Sequence, residues 1–64
     1  MTTKLNDLLN FVHEKQQVWL CYEGYIVEAD GEAMSAMLSE DIYKGNVTAV
    51  EAEGDKLKIW AKEE

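Results

Sequence analysis

Apolar residues recur along this chain with two different periods, and the change from one to the other marks out its elements. Leu5, Leu8, Leu9 and Val12 fall at i, i+3, i+4 and i+7, the spacing of one helix face. The spacing predicts a helix over residues 3–14, with Thr2 or Thr3 as N-cap and Asp7 near the positive end of the helix dipole. Two runs rich in β-branched and aromatic residues follow, Val18 to Tyr22 and Tyr25 to Ala29, separated by Glu23-Gly24. That pattern predicts a hairpin with a two-residue turn. It pairs Tyr22 with Tyr25, Leu20 with Val27 and Val18 with Ala29 on one face. Trp19, Cys21, Ile26 and Glu28 then share the other.

Asp30-Gly31 ends that run and can open a second helix, whose apolar stripe is Ala33, Met34, Met37 and Leu38. Ser39-Glu40-Asp41 is expected to close it, with Ile42 and Tyr43 anchoring the return loop and Lys44-Gly45-Asn46 as a turn. The last segment alternates most regularly. A turn at Gly54-Asp55 pairs Ala52 with Leu57, Val50 with Ile59 and Thr48 with Ala61, and sets Glu51 against Lys58 and Glu53 against Lys56. A one-residue slip would lose both the apolar and the charge matching. The order is α-ββ-α-ββ. Two one-sided helices need a surface to cover, so the expected fold is α+β: one domain over residues 1–64, with a four-stranded, largely antiparallel sheet and two helices on one face.

Charge narrows the partners. Six lysines, no arginine and thirteen acidic residues give a formal net charge of −7. Binding nucleic acid directly through phosphates requires clustered basic residues that release counterions, so that class is not expected. The acidic run Glu28, Asp30, Glu32, Glu40 and Asp41, uninterrupted by any basic residue, leaves one alternative. Such a surface could imitate nucleic acid and capture a host nucleic-acid-binding or defence enzyme. No apolar run approaches the ~20 residues that span a bilayer, and the N-terminus has no secretory pattern, so no membrane role is expected. A lone cysteine, Cys21, fits a reducing compartment, and the expected localisation is cytoplasmic.

Candidate chemistry is sparse. His13 falls on the polar side of the first helix and reads as a solvated residue. Cys21 has no basic neighbour to lower its pKa and reads as a small strand residue. One Cys and one His cannot supply a structural zinc site, and Glu28, Asp30 and Glu32 do not match a calcium loop. No metal, cofactor or catalytic residue is expected, and a chain this short has little volume for a substrate pocket of roughly several hundred cubic ångströms. Met34 and Met37 read as core rather than as a binding stripe.

The far face of the sheet is the exception. A sheet covered on one side should be polar on the other. Here the predicted registers place Trp19, Cys21 and Ile26 there, together with Val47, Ala49 and Trp60. Apolar patches of this kind on small proteins often mark an interface. Trp19, Ile26, Val47 and Trp60 are therefore the candidate interaction face, through which the chain would bind a second copy of itself, as a homodimer, or another protein. An unpaired sheet edge is a further route to a partner strand.

An opening Lys-Leu-Asn-Asp-Leu-Leu helix, the strand pair from Val18 to Ala29, a short helix and Val47-x-x-Val50-x-Ala52-x-x-x-x-Leu57-x-Ile59 complete the pattern. As a whole it resembles small uncharacterised proteins carried on phages and conjugative transposons of Firmicutes. The resemblance covers most of the chain and rests on apolar spacing and turn placement. It implies an α+β fold and a mobile-element or host-interface setting, and it implies no activity or site residues, since a shared fold does not carry function with it.

Overall fold

The computed structural model describes residues 3–64. The chain forms helix α1 (Leu5–Leu9), strands β1 (Gln17–Tyr22) and β2 (Tyr25–Asp30), helices α2 (Gly31–Met37) and α3 (Glu40–Tyr43), and strands β3 (Asn46–Glu53) and β4 (Lys56–Lys62). The strands make one mixed sheet in the order β2-β1-β4-β3. Both hairpins are antiparallel, and the central pair β1–β4 is parallel, Val18 lying opposite Leu57 and Leu20 opposite Ile59. The fold is α+β, with its helices packed on one side.

Burial explains the order. Val18 and Leu20 on β1, and Ile59 and Ala61 on β4, are buried, whereas neither β2 nor β3 has a buried residue. The strands with the most apolar inward faces take the centre. Leu5 and Leu9 from α1 and Met34 from α2 complete the core, with Ile42 and Tyr43 of α3 packed against it. Burying such a side chain contributes about 1.5–3 kcal/mol.

The first hairpin has the expected register throughout, closed by Glu23 (φ 47) and Gly24 (φ 91), a turn that needs positive φ at both positions. The second follows expectation from Glu53–Lys56 to Val50–Ile59 and then departs. A β-bulge between Val47 and Ala49 leaves Val47, not Thr48, opposite Ala61. The Thr48 hydroxyl donates to the Trp60 carbonyl at 3.2 Å. Val47 thereby turns to the core side, where it packs against the buried cluster. Just beyond, Val47 N–H donates to the Thr3 carbonyl and Leu5 N–H to the Gly45 carbonyl, so the chain entering α1 lies along the upper part of β3.

The helices are shorter than their sequence periods. Lys4, extended and without a side-chain cap, precedes α1; Thr2 lies outside the described residues. After Leu9 the chain tightens, with Phe11 N–H bonding the Leu8 carbonyl and Val12 N–H the Leu9 carbonyl, so that it can turn toward the foot of β1. Ser39 opens α3 instead of closing α2, accepting from Ile42 N–H. In α2 the buried residues are Gly31 and Met34, with Leu38 packed against the core just past the helix, and Met37, expected in the core, is 58% exposed.

Candidate functional site

The two sides of the sheet follow from strand alternation. With Val18, Leu20, Val27, Ile59 and Ala61 packed in the core, the open side carries Trp19 and Cys21 of β1, Ile26 and Glu28 of β2, Lys58 and Trp60 of β4, and Ala49 and Glu51 of β3. The registers align these into two rows. One is entirely apolar and crosses all four strands: Ile26, Cys21, Trp60, Ala49. The neighbouring row is Glu28, Trp19, Lys58, Glu51.

The tryptophans are not two separate protrusions. Trp19 and Trp60 meet edge to face, with ring centroids 5.5 Å apart and planes at 64°, an arrangement favoured by the ring quadrupoles. The Lys58 ammonium lies 5.3 Å from the Trp19 centroid. Lys58 also pairs with Glu53 at 3.1 Å, and Lys56 reaches across β1 to Glu28 at 3.0 Å. The ion pairs thus run diagonally and across β1, rather than joining Glu51 to Lys58 and Glu53 to Lys56 as expected from the ladder. The Glu28 carboxylate beside Lys56, mostly through its hydrogen bond, raises the Lys56 pKa above its ordinary value. Both tryptophans are half-buried under this cover, while Ile26, on the edge strand, is 59% exposed.

Of the four residues expected on the interaction face, Trp19, Ile26 and Trp60 come together there. Val47 does not, because of the bulge at Thr48. The signal was present in the sequence: Val47 and Val50 are three apart, so both can face inward only if one residue is accommodated between them.

The acidic set is dispersed. Glu28 lies on the open sheet face in its pair with Lys56. Asp30 turns its carboxylate to Ala33 N–H at 2.7 Å, capping α2. Glu32 is in the first turn of α2, and Glu40 and Asp41 are in the first turn of α3, where Glu40 faces Lys44 at 3.5 Å. These five do not form one surface.

His13 and Cys21 sit at opposite ends of β1. The His13 ring nitrogen Nδ1 accepts from Lys15 N–H at 3.0 Å in an exposed loop, and Cys21 is half-buried in the apolar row. Among the described residues no three His, Cys, Asp or Glu side chains cluster as metal ligands would, and no helix is long and apolar enough to cross a membrane. An open cleft of about 450 Å³, larger than the chain length suggested, lies beside the top of β1 between Tyr22, Glu23, Asp41, Lys44 and Glu63. Tyr22 is half-buried there, and partial burial, followed by Glu23, Glu63 and Asp41, raises its pKa above the ordinary 10.0.

These features define a small α+β domain with a mixed sheet, one face covered by helices and the other carrying a tryptophan pair and an exposed isoleucine. No protein-family model, no curated protein and no solved structure matches the chain.

Proposed function

We propose that this chain is a non-catalytic interaction module that associates with a second copy of itself through the open side of its sheet, around Ile26. The observation that carries the reading is the apolar row Ile26–Cys21–Trp60–Ala49, which runs uninterrupted across the uncovered face and ends in an exposed edge isoleucine.

Charge favours a second copy at this place. By alternation the open face holds Lys56, Lys58 and Lys62, half of the chain's lysines, against Glu28, Asp30, Glu51 and Glu53, four of its thirteen acidic residues. The face is close to neutral, and the excess negative charge lies elsewhere on the molecule. Two copies approaching through this face meet the least repulsion. The nucleic-acid mimic gains no such support, because three of its five carboxylates are engaged, by Lys56, by the α2 cap and by Lys44, and the other two, Glu32 and Asp41, are on different helices.

Ile26 is the position to test. Trp60 is packed against Trp19, so replacing it disturbs folding as well as any contact, whereas Ile26 is exposed. Ile26→Lys should weaken self-association by about tenfold or more while the thermal midpoint stays within a few degrees. Light scattering over a concentration series reads the first quantity and circular dichroism the second. A wild-type chain that stays monomeric at about 1 mM would sink the reading, since even weak specific contacts are populated there.

A further inference from the structure

The two edges of the sheet are unlike. The outer edge of β3 is interrupted by the bulge at Thr48, its upper part lies along Thr3 and Lys4, and its lower part carries Glu51 and Glu53. Bulges, covering segments and charges are the devices by which sheets keep edges from pairing. The outer edge of β2 has no bulge and, among the described residues, no segment paired along it, and its two charges, Glu28 and Asp30, are engaged within the chain by Lys56 and by the α2 cap. Its sequence, Tyr25-Ile26-Val27-Glu28-Ala29-Asp30, contains no proline, lysine or bulge. It pairs on one side only, and Tyr25 and Ile26 are 75% and 59% exposed.

The hairpin turn determines which backbone groups face outward. Tyr22 and Tyr25 flank a two-residue turn with positive φ at both positions, so they form a hydrogen-bonded pair, as do Leu20–Val27 and Val18–Ala29. The N–H and C=O groups of Ile26 and Glu28 therefore point away from β1, toward the open edge.

We infer that the β2 edge pairs antiparallel with the β2 edge of a second copy, about a two-fold axis at Ile26, making one eight-stranded sheet. This rests on the self-association reading and assigns its geometry. Opposed residues of an antiparallel pair share a face, so the permitted registers differ in steps of two. With the axis at Ile26, the two Ile26 side chains meet on the open face, and Tyr25 meets Val27 of the second copy on the helix face. The latter is an aromatic–β-branched pair of the favoured kind. Glu28 falls opposite Gly24 of the second copy, and the two Glu28 carboxylates are held far apart. An axis at Glu28 would set those carboxylates against each other. The axis at Ile26 also joins the two apolar rows end to end. The overlap is short, so the contact belongs with the small, weak class of interfaces.

Backbone amide exchange on the wild-type chain, with tryptophan emission read in parallel, tests the geometry without any mutation. Raising the concentration should slow exchange at Ile26 and Glu28 selectively, by about tenfold or more once the dimer dominates, with tryptophan emission unchanged. Ile26→Pro removes an outward N–H without touching the β1 ladder, so it should abolish the dimer while the hairpin amides stay protected. If a dimer forms with these two amides still exchanging freely and the tryptophan emission shifting to the blue, the copies stack face to face. The edge geometry is then wrong while self-association stands. If no dimer forms, both fall.

Discussion

At Gly31 the chain leaves β2 and enters α2 with the His13 backbone against its α-carbon, and a methyl group added there would run into the His13 carbonyl oxygen. Gly31 N–H bonds the Gln16 carbonyl and Glu32 N–H the Glu14 carbonyl, so that segment is held and cannot simply retreat. Gly31→Ala should therefore destabilise the fold by about 1–3 kcal/mol, although alanine favours helix by up to ~1 kcal/mol over glycine. Thermal melting reads the difference, at about 4–8 °C per kcal/mol in a domain of this size, and an unchanged midpoint would show that the His13 loop yields. Gly24 is the opposite case: nothing lies near it, and its φ of +91° alone makes it glycine. The sequence made Gly24 legible as a turn residue. It did not reveal the crowding at Gly31, because His13 and Gly31 are far apart along the chain. For the same reason Trp19 and Trp60 could be assigned to one face but not to contact with each other.

Between elements, the hairpins were readable in the sequence almost to the residue, since each apolar position had one partner that kept it inward. Helix lengths were not. The Leu5 to Val12 period continues beyond the point where the backbone must bend to deliver Gln17 to the sheet, and that bend is a tertiary demand. Likewise Ser39 caps either a helix that ends or one that begins, and only the path to β3 decides. A helix of seven residues such as α2 is far below the length that is stable alone, so its capping matters. Asp30→Ala removes the carboxylate that accepts from Ala33 N–H and should cost about 1 kcal/mol, whereas Asp30→Asn should lose only part of that. Chemical denaturation of the pair checks this, and equal losses would mean that the carboxylate's charge, not its hydrogen bond to Ala33 N–H, carries the effect.

For the whole molecule the governing quantities are its charge and its strand order. A chain of net charge −7 repels its copies everywhere except across the near-neutral sheet face. Added salt should therefore strengthen self-association, with the apparent dissociation constant falling as ionic strength rises from about 0.01 to about 0.15 M, where screening shortens from ~30 to ~8 Å. Capture of a basic protein by mimicry would respond in the opposite direction. A fall in association with salt, measured by sedimentation, would mean that attraction between opposite charges on the two copies carries the contact, and not the near-neutral face. Strand order was the least legible feature, because pairing within a hairpin is local, whereas the choice of β4 as the neighbour of β1 depends on which faces can be buried together.

That parallel pairing of the first strand with the last also sets the order of events at birth. During synthesis Val18 and Leu20 are made well before Ile59 and Ala61, the residues that close the core around them. The first hairpin must wait, half wet, for a strand that is translated last of the four. Completion of the fold is thus postponed until the β4 segment has left the ribosome, since a nascent chain that stops before Ile59 lacks two of the seven buried core residues and the strand that joins its two hairpins.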